Sequence, residues 1–130
     1  MHSPQQAHLY YDSARVLLED RIRKFPNDER MHGSLGIAYA GLGKKEDAIR
    51  EAKRGVELLP VSREAIRGAY RVEELAETYA MVGEYDLAVT QLELLLSAPG
   101  EISVPLLRLD PAWSPLRGNL RFQKLIAGNK

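Results

Sequence analysis

An internal repeat constrains the fold of this chain more than any other feature of its sequence. Two stretches align, with similar residue types at the same offsets. The first contains Leu35, Gly36, Tyr39, Gly43, Ala48 and Ala52, and the second contains Leu75, Ala76, Tyr79, Gly83, Ala88 and Leu92. A partial third copy lies upstream, because Ala14 precedes Ala48 by 34 residues and Pro26 precedes Pro60 by the same distance. A fixed period of this length is typical of stacked helical units.

The repeated unit has the pattern of two helices joined by a tight turn. Apolar residues recur at helical spacing on both sides of the turn. The small residues Gly36 and Ala48 predict a close approach of the two helices. Gly43 suits the left-handed backbone conformation that ends many helices, and Pro60 ends the second helix. The sequence therefore predicts an all-α chain built from helical hairpins.

These residues resemble the tetratricopeptide repeat (TPR), whose pattern is W-x2-L-G-x2-Y, then A-x3-F, then P, at a period of about 34 residues. The matching positions are Leu35, Gly36, Tyr39, Ala48 and Pro60 in the first unit, and Leu75, Tyr79 and Ala88 in the second. His32 stands in place of the tryptophan and Ala52 in place of the second aromatic residue. The resemblance covers residues 8–97 and implies a right-handed superhelix of antiparallel helical hairpins, an alpha-alpha superhelix.

We expect a single TPR-like domain over residues 1–130. Its expected parts are a partial repeat (7–26), a repeat (27–60), a repeat with an extended first helix (61–98) and a capping segment (99–130). The extension follows from the 40 residues between Leu35 and Leu75, six more than the period. With Ser62 as N-cap, the helix ending at Val82 gains more than one turn, about 9 Å. The other helices are expected at 7–24, 28–42, 45–59 and 85–96.

The capping segment has its own motif. We expect a short helix, a proline-initiated turn and a last helix capped by Asn119, with apolar residues covering the last hairpin. Those apolar residues are Trp113, Leu116, Phe122 and Leu125. The segment is similar to the C-terminal ends of TPR regions in bacterial multidomain signalling proteins. The matching residues are Asp110, Pro111, Trp113, Pro115, Leu116, Arg117, Arg121 and Phe122. The resemblance implies that this chain is the C-terminal sensor or scaffold part of a larger protein.

Charge and composition limit the classes of function that this chain can have. Lys plus Arg and Asp plus Glu are both 18, so the formal net charge is zero. A nucleic-acid binder would need a basic excess to displace phosphate counterions. A helical-repeat reader of nucleic acid is nevertheless the alternative function, since pentatricopeptide-type hairpins share this geometry. The chain has no cysteine and hence no thiolate ligand. No apolar run reaches the ~20 residues of a membrane helix, and we expect a cytoplasmic protein.

Motifs for catalysis, cofactors and metals are weak. The run from Gly41 to Lys45 lacks the upstream glycine and the Ser or Thr of a phosphate-binding loop. The histidines His2, His8 and His32 have no second ligand at metal-binding spacing. His32 is expected to be a half-buried packing residue. We therefore expect no enzymatic activity, no cofactor and no metal site.

In the TPR family, the first helices of the repeats line a concave groove that binds a peptide or a neighbouring domain. The groove residues that the resemblance implies are Arg30, Gly33, Ser34, Ile37, Tyr70, Glu73, Glu74, Glu77 and Met81. Gly33, Ile37 and Glu74 stand where the family's carboxylate-binding clamp would need Lys, Asn or Arg. We therefore expect a protein or peptide partner other than an acidic chaperone tail, and neither nucleic acid nor a membrane.

The first helix resembles the second helix of a repeat whose own partner is missing, since residues 1–6 are too short to supply one. Its apolar residues recur at helical spacing and form a wide stripe. They are Tyr10, Ala14, Leu17, Leu18, Ile22 and Phe25. An uncovered apolar strip marks an interface. We expect either cover by an upstream part of a longer protein or a weak homodimer through this helix.

Overall fold

The computed structural model describes residues 3–97 and 103–127. Over this part of the chain the secondary structure is helical, with no strand, which confirms the all-α prediction. The helices are α1 (Pro4–Lys24), α2 (Glu29–Gly41), α3 (Lys45–Leu58), α4 (Ala65–Met81), α5 (Tyr85–Leu96), α6 (Val104–Leu109), a 3-10 helix (Pro111–Leu116) and α7 (Leu120–Ile126). The expected boundary between the second repeat and the capping segment, at residues 98–99, lies outside the described residues.

The two repeat glycines end their helices as the sequence predicts. Gly43 and Gly83 have φ angles of 76° and 88°, in the left-handed region. The amide of Lys44 donates to the Tyr39 carbonyl oxygen over 2.9 Å, and that of Glu84 donates to the Tyr79 carbonyl oxygen over 2.9 Å. These six-to-one bonds are those of the Schellman motif, which satisfies the last carbonyl groups of a helix. Three-residue connections then lead into α3 and α5.

Close packing holds each hairpin together. A Cβ at Gly36 would lie 3.0 Å from the Ala48 carbonyl oxygen and 3.0 Å from the Ala52 Cβ. Ala48 and Ala52 are fully buried in this contact, and Ala76 and Ala88 are fully buried in the second unit. The predicted small-residue contact between the helices is therefore confirmed. Neighbouring units meet through α2 and α3, which both contact α4, while α1 contacts α2.

The start of α4 differs from the prediction. Ser62 is not the N-cap; residues 61–63 form a turn, and Glu64 takes the cap position without a side-chain hydrogen bond. The turn folds back over Gly68, where a Cβ would lie 2.8 Å from the Val61 Cα. When the two units are aligned on Leu35 and Leu75, α4 begins four residues earlier than α2. This extension lengthens the helix by about 6 Å, whereas the sequence predicted about 9 Å. The remaining inserted residues are used by the turn.

Helix α1 begins at Pro4, three residues earlier than expected. Ser3 and Gln6 form a capping box, in which the Ser3 hydroxyl accepts from the Gln6 amide and the Gln6 side chain accepts from the Ser3 amide. Against α2, the Tyr39 hydroxyl donates to Glu19 Oε2 over 2.5 Å. Burial and then this carboxylate raise the pKa of Tyr39 to about 12.

Two polar interactions differ from the sequence expectations. His32 is buried, and its Nδ1 lies 2.7 Å from Glu51 Oε1 while its Nε2 lies 2.6 Å from the Pro26 carbonyl oxygen. His32 thus connects α2 to α3 and to the α1–α2 loop through polar contacts, whereas the sequence predicted a half-buried packing residue. The i, i+4 spacing of Glu46 and Arg50 predicts an ion pair, but Arg50 instead contacts Asp47 at 2.8 Å and Glu51 at 3.5 Å.

The capping segment packs onto the second hairpin as expected. Trp113, Leu116 and Phe122 are at most 1% exposed. Asn119 caps α7 through the Phe122 amide. Arg121 anchors the segment to α5 through the Asp86 carbonyl oxygen, Thr90 Oγ1 and Glu93 Oε1. The residues of the C-terminal motif therefore have structural roles in this contact.

Candidate functional site

A cleft of about 300 Å³ lies between α4 and the capping segment. Helix α4 supplies one wall, and α6 with the 3-10 helix supplies the other. The residues that line it are Tyr70, Arg71, Glu73, Glu74, Glu77, Leu106, Asp110 and Trp113. Its α4 residues recur at positions 70, 73, 74 and 77, which is the spacing of one helical face. The capping segment therefore converts this face of α4 into a concave site.

The cleft is acidic. Glu73, Glu74, Glu77 and Asp110 bring four carboxyl groups to its walls, and Arg71 is the cation among its lining residues. Arg71 Nε lies 2.9 Å from Glu74 Oε1, and the two side chains are 12% and 20% exposed. Neither atom makes a hydrogen bond of good geometry, although both are shielded from solvent. One guanidinium group thus compensates only part of the negative charge of the cleft.

The local environment opposes ionisation of two of these carboxyl groups and raises their pKa values. Burial raises the pKa of Glu74 to about 7, and the nearby charges of Glu77 and Glu73 act in the same direction, while Arg71 opposes them. Burial also raises the pKa of Glu77, with further contributions from Glu73 and Asp110. Like charges in a low-dielectric site oppose ionisation. A cation entering the cleft would relieve this repulsion, so the site favours a positively charged group.

Comparisons with protein-family models, with curated proteins and with solved structures give no match. The geometry of the described residues is therefore the basis on which a function is proposed below.

The structure divides the groove residues predicted from the TPR resemblance into several environments. Four of them line the cleft: Tyr70, Glu73, Glu74 and Glu77. Arg30 instead lines a separate depression at the α1–α2 loop, where it contacts Asp28 at 3.0 Å. The remaining predicted residues do not line the cleft. Ser34, Ile37 and Met81 are half-buried, and Gly33 is buried.

Gly33 is a packing residue at the contact between three helices. A Cβ at this position would overlap the Glu74 carboxylate on α4. A Cβ at Gly55 on α3 would in turn lie 3.2 Å from the Gly33 amide nitrogen. Gly33 therefore lets the backbones of α2 and α3 approach each other and leaves room for Glu74. It offers no surface to a ligand.

Half of the residues that line the cleft are not among the groove residues predicted from the sequence. Arg71 was not among the predicted groove residues, although its i, i+3 spacing to Glu74 is a signal for a helical ion pair. Leu106, Asp110 and Trp113 were assigned only to the cap. No local signal in the sequence brings them to α4, because they lie 29 to 43 residues further along the chain than the lining residues of α4.

No group of three or more His, Asp or Glu side chains in residues 3–97 and 103–127 has an arrangement that could hold a metal ion. Over the same residues, no helix combines the length and the apolar character needed to cross a membrane.

Proposed function

We propose that this chain is a TPR-type module that binds a segment of another protein, and that a basic residue of that segment enters the acidic cleft on α4. The observation that carries this proposal is the cleft itself, whose described lining residues bring four carboxyl groups together with one guanidinium group. Charge complementarity of this kind contributes chiefly to specificity and association rate.

The arrangement of the helices supports the choice of the TPR family. Each unit pairs two helices across a Schellman turn, and small residues lie where the helices approach. The first helices of successive units, α2 and α4, are in contact, and the second helix of the first unit, α3, also contacts α4. Stacking of each repeat on its neighbour is the defining property of helical-repeat proteins.

The walls of the cleft favour a Lys or Arg side chain over a smaller cation. Tyr70 is 39% exposed and Leu106 is 50% exposed, so the rim provides apolar surface for an aliphatic stem. The glutamate side chains of the cleft, Glu73, Glu74 and Glu77, are partly buried, and a terminal ammonium or guanidinium group would bind their carboxylates. The same carboxylates repel phosphate, which weighs against the nucleic-acid alternative.

The similarity of the capping segment to the ends of bacterial TPR regions leads to a broader proposal. According to this proposal, the module is the C-terminal part of a larger cytoplasmic signalling protein. Its ligand is a peptide or a domain that belongs to the same signalling pathway.

A peptide array tests the peptide-binding function. The array contains extended peptides that differ only in one central residue, which is Lys, Arg, norleucine or Glu. We expect the wild-type chain to bind the Lys and Arg series and to lose this preference in the double variant Glu73→Lys, Glu77→Lys. The control is Glu46→Lys, Glu57→Lys, which places the same charges on the exposed surface of α3. Circular dichroism verifies that both variants fold.

Three outcomes would contradict the proposal. The first is equal binding of all four peptide series. The second is loss of binding in the control as large as in the cleft variant, since that would reflect overall charge alone. The third is tighter binding of a single-stranded RNA oligomer than of any peptide, which would favour the nucleic-acid function.

A further inference from the structure

Helix α1 has an apolar face that no described part of the chain covers. Ala14, Leu18 and Ile22 are half-buried on the side that contacts α2. The opposite side carries four large apolar residues with more than half of their surface exposed. They are Leu9 (65%), Tyr10 (70%), Val16 (54%) and Leu17 (59%). We call these four residues, with Ser13 between them, the α1 strip. The stripe predicted from the sequence thus divides into a packed side and an uncovered side.

The α1 strip is symmetric about Ser13. Leu9 and Leu17 lie four residues before and after it, and Tyr10 and Val16 lie three residues before and after it. On a helix these offsets place all four side chains on the same face as Ser13. In an antiparallel pair centred on Ser13, each apolar side chain of the strip faces an apolar side chain of the second copy, so the strip is complementary to itself around a two-fold axis. The small side chain of Ser13 at the centre permits close approach of the two helices.

The charges on α1 favour the same orientation. The last turn of α1 is basic, with Arg21, Arg23 and Lys24, and the first turn contains no acidic residue. Parallel pairing would place two basic ends side by side. Antiparallel pairing instead brings each basic end beside the neutral first turn of the other copy, and it also opposes the helix dipoles.

We propose that the occupant of the α1 strip is a second copy of this chain, bound antiparallel around a two-fold axis through Ser13. In this pair, Leu17 packs against Tyr10 of the second copy, and Leu9 packs against Val16 of the second copy. Ser13 faces its own equivalent. The dimer lies on the side of the molecule formed by α1 and does not involve the residues of the acidic cleft, so the two proposals stand or fall separately.

The dimer is expected to be weak. Four large side chains per copy bury less area than the roughly 800 Å² per partner of a standard stable interface. The corresponding dissociation constant lies in the micromolar range or above. The self-association must therefore be measured over a wide range of protein concentration.

Sedimentation equilibrium tests the proposal. We expect the average mass of the wild-type chain to rise from 14.6 kDa towards twice that value as concentration increases. Leu17→Glu and Leu9→Glu should each lower the association constant roughly tenfold or more, because the dimer would bury an unpaired carboxylate. The matched control is Leu109→Glu, since Leu109 is 77% exposed but lies on α6. All of these positions are exposed, so the variants should fold, as circular dichroism can verify. A wild-type mass that stays constant would overturn the proposal, and so would equal effects of the α1 and α6 variants.

Cysteine cross-linking tests the orientation, because the chain contains no cysteine of its own. Ser13→Cys lies on the proposed two-fold axis and should form a disulfide-linked dimer rapidly under mild oxidation. Gln6→Cys provides the comparison. In an antiparallel pair its two copies are about 21 Å apart along the helices, which is beyond the reach of about 7 Å between disulfide-linked Cα atoms. In a parallel pair both positions would cross-link. Equal rates at the two positions, or no faster cross-linking at Ser13→Cys, would contradict the antiparallel dimer.

Discussion

The carboxylate of Glu74 on α4 occupies the space that a side chain at Gly33 on α2 would need. This contact places an ionisable group at the junction of two repeat units, where it is largely shielded from water and lies 2.9 Å from Nε of Arg71. The same carboxylate forms part of the cleft wall. Packing between the repeats and the electrostatics of the candidate site therefore depend on one residue, and several measurable consequences follow.

The stability of the fold should decrease as the pH rises towards neutrality. The pKa of Glu74 is about 7 in the folded chain and close to the ordinary glutamate value of about 4.3 when unfolded. Between these values the folded chain binds more protons than the unfolded chain, so the free energy of unfolding falls with increasing pH. Glu77, whose pKa is also raised, acts with the same sign. Below about pH 4 neither group contributes to this dependence.

Glu74→Gln should reduce this pH dependence, because the amide has no proton to lose. Urea denaturation at pH 5.5 and pH 8.5 measures it as the difference in unfolding free energy. We expect the variant to lose about 1–2 kcal/mol less than the wild type between the two pH values. Glu46→Gln on the exposed surface of α3 serves as the control and should follow the wild type. An unchanged slope in Glu74→Gln would mean that Glu74 is ionised in the folded chain throughout this range.

Replacing Gly36 on α2 or Ala48 on α3 by leucine should destabilise the fold, because these two residues lie where the helices of the first hairpin approach each other. Gly36→Leu and Ala48→Leu each add a large side chain where backbone and Cβ atoms of the neighbouring helix lie at contact distance. We expect a loss of about 1–3 kcal/mol for each. Lys53→Leu, which adds the same side chain at an exposed position of α3, should change stability little. Chemical denaturation midpoints compare the three, and wild-type values for Gly36→Leu and Ala48→Leu would refute the proposed contact.

Gly68→Ala should be destabilising, although alanine is the better helix former by about 1 kcal/mol. The added Cβ would lie 2.8 Å from both the amide nitrogen and the Cα of Val61, which are backbone atoms and cannot rotate away. The turn before α4 must shift, at a net cost of about 1 kcal/mol or more. Gly118→Ala is the control, because no atom lies within 4 Å of a Cβ at that site. Thermal melts of both variants measure the difference. A gain in stability for Gly68→Ala would show that the turn adjusts freely.

The local features of this protein could be predicted from neighbouring residues along the chain. Gly43 and Gly83 predicted left-handed helix ends, because few other residues adopt that conformation without strain. Gly36 and Ala48 predicted a close helix contact from their size alone, and Asn119 predicted a cap from its hydrogen-bonding chemistry. The bounds of α2, α3 and α5 followed from periodicity and breakers within two residues. Each of these inferences needs only neighbours along the chain.

Tertiary structure alone decided the features that depend on distant contacts. The start of α4 was misplaced because it is set by Val61 folding over Gly68, and Ser62 is a good N-cap only if no such turn forms. The sequence pattern predicts that Gly33 lines a groove, because no local signal shows that Gly33 in the first unit packs against Glu74 in the second. The acidic cleft arises where α4 meets Asp110 and its neighbours in the capping segment. Residue type and spacing specify which faces of the helices are apolar. The assembled packing decides which carboxylates are buried together, and therefore where a cation could bind.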